Sequence, residues 1–294
     1  MESNLRIYKH QWNTVYAFIF LLLVSACKHS PEVITSTSYV MEASYQSALL
    51  NDSINYRVYY PAGFEEMDSV NLLYLLHGHG GSDDDWITKE EGYVQSILDS
   101  LIGNDIIPPC VAVTYNAGNS WYVDSKLSME TFIKEEWIPY VNTGLIKDKG
   151  IQKKIIAGNS AGGFGTLRLS LLYPELFDAS LLLSPAAYYP VPPAISSSRK
   201  IDVFSDENGF SETIWQSYSY VNIPLEKDKA DSLPMLYLST GDDDPYEIVH
   251  VVTQLRSYFL EHNIDHELTI IDGAHTWDVW RDRFAHDLVR ALKD

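Results

Sequence analysis

Cysteine is scarce in this chain of 294 residues, with two in all, so no disulfide framework holds it together. Positive charge is also scarce. Lys and Arg number 21 against 40 Asp and Glu, a formal charge of −19. Such a surface repels phosphate backbones, which excludes nucleic acid as a partner and makes anionic headgroups poor ones. No apolar run is long enough to span a bilayer with ease; the longest candidate, Thr14 to Val24, has eleven residues. Internal repeats and low-complexity tracts are missing too. What is present is 46% hydrophobic and 13% aromatic residues, with 20 Tyr and 7 Trp. That is enough for a sizeable core and for a surface that stacks on rings.

The apolar run follows a polar stretch carrying Arg6 and Lys9 and ends in Val24-Ser25-Ala26-Cys27. This order is that of a secretory signal peptide. Small residues before a cysteine resemble a bacterial lipoprotein cleavage box, which implies removal of residues 1–26, acylation of Cys27 and membrane anchorage of an exported protein. Residues 27–43 then read as the lipidated Cys and a tether, and 44–294 as one domain. Cys110, in an apolar run, reads as a small buried hydrophobe.

The domain alternates strands and helices. Ser44 to Leu50 and Ile54 to Tyr60 read as a strand pair around Asn51-Asp52. Leu72 to Leu76 reads as a strand buried on both faces, Ala179 to Leu183 and Met235 to Ser239 as further buried strands, and Cys110 to Tyr115 and Lys154 to Ala157 as strands between them. Apolar residues at helical spacing separate them: Val94 to Ile102, Met129 to Tyr140, Ala161 to Tyr173 and Tyr246 to His262. Glu267 to Ile271 and Asp278 to Leu292 close the chain as strand and helix. This alternation predicts an α/β fold with a mostly parallel sheet, whose chemistry gathers at the carboxyl ends of its strands.

Three loops carry candidate chemistry. Gly158-x-Ser160-x-Gly162 lies between an apolar strand and an apolar-periodic helix, the context of a nucleophile elbow. Ser160 would stand at a helix N-terminus, with the N–H of Ala161 beside it to meet an oxyanion. A hydroxyl needs a base. His275, directly after the last strand, fits better than His250, His262, His266 or His286, which lie within or beside helices and strand starts. An acid belongs after the preceding strand, where Asp242, Asp243 and Asp244 stand in a row. Spacing does not choose among the three; the other two could be solvated or cap the next helix, and a calcium site is disfavoured because the alternating spacing of an EF-hand loop is missing. The third loop, His77-Gly78-His79-Gly80-Gly81, can supply a second oxyanion N–H. Its His-x-His spacing also permits a metal reading, which needs further ligands that the motif does not supply.

Together these motifs resemble the esterase D / antigen 85 branch of the α/β-hydrolases, a branch with feruloyl, acetyl-xylan and enterochelin-type esterases and S-formylglutathione hydrolases. The resemblance also rests on Tyr56-Arg57-Val58-Tyr59-Tyr60-Pro61, on Gly118 to Ser125 and on Gly273-Ala274-His275-Thr276-Trp277. It implies an α/β-hydrolase fold with a Ser160, His275, Asp244 triad, and His79 as second oxyanion donor. Pro245 departs from the family's usual aromatic or apolar residue. No cofactor or metal is implied. Trp121, Tyr122 and Trp277 are expected near the substrate. So is an insertion near the acid loop, the 51 residues from Ser184 to Pro234. The expected substrate is an acetyl or feruloyl ester on carbohydrate, or another small ester. A siderophore ester, a thioester, acyl transfer, or glycan binding without catalysis are the alternatives.

Overall fold

The computed structural model describes residues 37–225 and 232–293. The leader, Cys27 and the first part of the tether lie outside the described residues. Eight strands form the main sheet: β1 Tyr39–Ser47, β2 Asp52–Tyr60, β3 Ser69–Leu76, β4 Cys110–Tyr115, β5 Gly150–Asn159, β6 Ala179–Leu183, β9 Met235–Gly241 and β10 His266–Ile271. A two-stranded hairpin, β7 Ser205–Asp206 and β8 Gly209–Phe210, lies in the insertion. The order across the sheet is β1-β2-β4-β3-β5-β6-β9-β10. The first two strands run antiparallel, and every pair from β4 to β10 is parallel.

Side chains of the central strands alternate between two buried faces. Leu73 and Leu75 of β3 and Ile155 and Ala157 of β5 pack under helices α1 (Val94–Gly103) and α7 (Trp277–Lys293), against Leu98, Phe284 and Leu288. The opposite face is covered in two parts. Leu72, Tyr74, Val111 and Val113 meet Phe132 and Trp137, from a segment that opens with α2 (Met129–Phe132) and continues through α3 (Ile138–Tyr140). Leu182, Leu236 and Leu238 meet α4 (Ala161–Leu172), α6 (Ile248–Glu261) and the insertion with its short helix α5 (Glu212–Ser217). Cys110 is a buried core residue whose thiol burial pushes up to about 12.

Three expectations shift at their edges. β1 begins at Tyr39 rather than Ser44, because Tyr39 to Ser47 pairs residue for residue with Tyr60 to Asp52, ending in a Tyr39–Tyr60 ring contact at 5.1 Å. β5 extends over ten residues, since its amino end pairs with β3 from Ser69↔Gly150 onward. The segment expected as one helix from Met129 to Tyr140 is broken by wide turns at Ile133–Trp137, and a second set of wide turns, Val141–Leu145, follows it. The parallel register has a functional consequence. It brings the loops after β3, β5, β6, β9 and β10 to one edge of the sheet, and those loops hold His79, Ser160, the insertion, Asp244 and His275.

Candidate active site

Ser160 joins β5 to α4 with φ 55° and ψ −114°, a backbone state that costs a non-glycine residue about 1–3 kcal/mol. Three backbone bonds hold it there. Ser160 N–H donates to Leu183 O at 2.9 Å, and Ser160 O accepts from Phe164 N–H and Ala186 N–H, both at 3.0 Å. The turn is tight enough to require its glycines. A Cβ on Gly158 would stand 2.3 Å from Gly162 O, and one on Gly162 would stand 2.3 Å from Leu76 O. Ser160 therefore caps a twelve-residue helix whose dipole favours negative charge at this end.

His275 Nδ1 lies 2.6 Å from Asp244 Oδ2. The carboxylate only accepts, so Nδ1 carries the proton and Nε2 is the ring's free acceptor. Asp244 has no exposed side-chain surface, and His275 retains 11%. The carboxylate is itself aimed: its Oδ1 accepts Tyr246 N–H at 3.0 Å and its Oδ2 accepts the Thr240 hydroxyl at 3.4 Å. The imidazole stands between the Tyr246 ring at 4.7 Å and the edge of Trp280 at 4.9 Å, and Trp280 is fixed by a bond to Ser184 Oγ. The structure thus separates the three consecutive aspartates. Asp244 turns inward to His275. Asp242 and Asp243 are exposed and zip their loop to the next one: Gly273 N–H donates to Asp242 Oδ1, and Asp243 N–H to Gly273 O. Those two carboxylates gather with Asp272 on the surface, with ligand atoms within 4.8 Å of one another, and Asp244 takes no part in that cluster.

Ser160 and His275 line one cavity of about 320 Å³ with Gly78, His79, Trp121, Tyr188, Tyr246 and Trp277. The loop after β3 packs on the nucleophile turn; a Cβ on Gly78 would lie 3.6 Å from Ser160 Cβ. Among the described residues, no acceptor within the chain meets the N–H of Ala161 or of His79. His77 is the strut of this loop. Its Nδ1–H donates to Gly78 O at 2.7 Å and its Nε2 accepts Ala117 N–H at 3.0 Å. Both ring nitrogens are spent, which removes His77 from any metal pair with His79. Burial lowers the pKa of His77, and burial followed by the neighbouring His77 lowers that of His79. A neutral His79 suits its contact, in which Trp121 Nε1–H donates to Nδ1 at 3.4 Å.

The expected aromatics part company here. Trp121 and half-buried Trp277 line the cavity. Tyr122 does not, and the expectation that it meets substrate is corrected. Trp121 and Tyr122 both have left-handed backbone, φ 50° and 62°, which sends the Tyr122 ring into the core. There its hydroxyl donates to His77 O at 2.8 Å. In the insertion, Trp215 and Phe204 pack beneath Trp121, while Tyr188, Ser196 and Ser197 reach the cavity. Tyr188 comes from the insertion expected to shape the substrate site, whereas Tyr246, Trp280, Asp85 and Glu91 were not foreseen there. Only Tyr246, two residues after Asp244, carried a local signal.

The family model described as "Putative esterase" matches residues 47–291. The chain belongs to this esterase family. The esterase is 26% identical over 236 residues to an acetyl esterase of Caldicellulosiruptor saccharolyticus, covering 76% of this chain and 84% of that one. It is 31% identical over 144 residues to an endo-1,4-beta-xylanase/feruloyl esterase of Xylanibacter ruminicola; the match covers 45% of this chain and 20% of that longer protein. Among solved structures, a ferulic acid esterase superposes with a TM-score of 0.73 at 21% identity, over 88% of this chain and 99% of that one. The fold is that of the α/β-hydrolases, and the protein is a carboxylic ester hydrolase.

Proposed function

We propose that this esterase is an exported serine enzyme that removes acetyl or feruloyl groups from carbohydrate by a Ser160, His275, Asp244 acyl-enzyme mechanism. The observation that carries it is the 2.6 Å bond from buried Asp244 to His275, on the rim of the cavity that Ser160 also lines. Asp244 keeps the Nδ1–H tautomer, so Nε2 takes the proton from Ser160 as its oxygen attacks the ester carbonyl. The N–H groups of Ala161 and His79, free of internal acceptors, meet the oxyanion, supported by the α4 dipole. Nε2–H then protonates the departing alcohol. Water, activated by the same imidazole, releases the acid and restores Ser160. Residues of the chain perform every step, so the reading requires no cofactor.

The acyl and alcohol classes rest on what similar proteins are named for, an acetyl esterase and a xylanase/feruloyl esterase. Half-buried Trp277 offers ring surface for such groups, and Trp121, almost wholly buried, forms part of the cavity wall. Export and membrane anchorage through Cys27 rest on Val24-Ser25-Ala26-Cys27. The test uses protein from Lys28 onward on p-nitrophenyl acetate, methyl ferulate and acetylated xylan, with Ser160→Ala as control. Activity that disappears in Ser160→Ala supports the reading, and the ranking names the acyl group. Activity that persists in Ser160→Ala contradicts it.

A further inference from the structure

The same cavity has a chemically one-sided wall. Asp85 and Glu91, from the loop between β3 and α1, line it beside Gly80, Gly81 and Trp277. Among the described residues that line the cavity, none is Lys or Arg. Asp85 is held by its own turn, its Oδ1 accepting Ser82 N–H at 2.8 Å. Glu91 accepts the Thr88 hydroxyl at 3.3 Å. Arg281 of α7 fixes this loop through the carbonyls of Glu91 at 2.7 Å and Lys89 at 3.4 Å, and its guanidinium is paired with Asp278. Among the described residues, neither Lys nor Arg forms an ion pair with either carboxylate, and the neighbour of Asp85 able to bear positive charge is the buried His77. Burial raises the pKa of both groups, and Asp85 raises that of Glu91 further. Both carboxylates lie on the same wall of the cavity.

We infer that Asp85 and Glu91 are specificity-determining residues that make the cavity a charge filter, admitting uncharged, hydroxyl-bearing esters and rejecting esters that carry a carboxylate of their own. The inference rests on the proposed ester reaction at Ser160. A substrate carboxylate brought into a partly desolvated cavity meets two like charges and no counter-ion, a repulsive device for choosing among substrates. Sugar hydroxyls instead donate to both carboxylates. On this account the cavity disfavours thioesters of carboxylate-bearing peptides and favours esters of neutral saccharides.

The test is a ratio of kcat/KM within matched pairs, each corrected for its rate of hydroxide hydrolysis. The alcohol side is read with 4-acetoxybenzamide against 4-acetoxybenzoate. The acyl side is read with p-nitrophenyl hexanoate against mono-p-nitrophenyl adipate. Both members of a pair meet the same preparation, so the ratio does not depend on how much of a variant folds. The wild type should prefer the neutral member by at least about tenfold in one pair, the size expected of like charges at close range. Glu91→Gln should lower that ratio by at least about threefold, and Glu91→Lys should reverse the preference. Ratios near one in both pairs would overturn the inference. So would a preference that neither Glu91 variant nor Asp85→Asn changes. Failure of the underlying ester reading looks different: neither neutral ester would be turned over at all.

Discussion

His77 and His275 each follow a parallel strand at the same edge of the sheet, and both flank the turn that carries Ser160. Their surroundings differ in one respect that decides what each can do. His77 is buried, and both of its nitrogens are bound to backbone, one donating to Gly78 O and one accepting from Ala117 N–H. Among the described residues, His275 is bound at one nitrogen only, by a carboxylate with no exposed side-chain surface, and the residue lines the cavity. A histidine becomes a base when one side is fixed by an anion and the other is left for a proton. When the backbone takes both sides it becomes a strut. The loop that His77 braces is the one that offers the free N–H of His79 to the site.

The comparison breaks if the two substitutions behave alike. His275→Ala should lower kcat on p-nitrophenyl acetate by about 10⁴–10⁶ while leaving the urea midpoint near that of the wild type. His77→Ala should do the reverse, losing about 2–4 kcal/mol of stability in urea because two buried backbone groups lose their partner. Its folded fraction should keep kcat within about tenfold of wild type. The acid is next in size. Asp244→Asn should lower kcat by about 10³–10⁴ by inverting the His275 tautomer, whereas Asp242→Asn should stay within about threefold. Equal losses would mean that the buried carboxylate is not the one that orients the base.

Much of this was legible beforehand, for identifiable reasons. Strands such as Leu72 to Leu76 are apolar at every position because both sheet faces are covered, and such runs stand out without knowledge of the third dimension. Ser160 was legible because its turn forbids side chains at positions 158 and 162. The aspartate could not be read from spacing alone, since Asp242, Asp243 and Asp244 differ only in which way the turn points them. Trp121 and Tyr122 were indistinguishable for the same reason; two successive left-handed residues send one ring to the cavity and the other to the core. Trp280 and Tyr188 reach the site only because the sheet register brings α7 and the insertion to it.

Smaller effects sharpen the contrast. Tyr122→Phe should cost about 1 kcal/mol in thermal or urea unfolding, the worth of its bond to His77 O, with kcat changed by less than about threefold. The pH dependence of stability should carry a mark of His77. Its pKa is lowered by burial from the ordinary 6.5, so the unfolded chain binds the extra proton first. Stability should therefore fall as pH drops through that ordinary value and go on falling toward the folded value. His77→Gln should flatten this acid limb in urea titrations even though it is less stable at neutral pH. A limb of unchanged slope would mean that His77 is not held neutral by the fold.

The central claim is that Ser160 is a nucleophile activated by His275, and the most direct measurement of it is covalent. The protein from Lys28 onward is treated with a fluorophosphonate, digested, and the adduct located by mass spectrometry. The account predicts a single stoichiometric adduct on Ser160, slowed by orders of magnitude in His275→Ala and by no more than about tenfold in folded His77→Ala. An unlabelled Ser160 in folded wild-type protein, or labelling equally fast without His275, would contradict it.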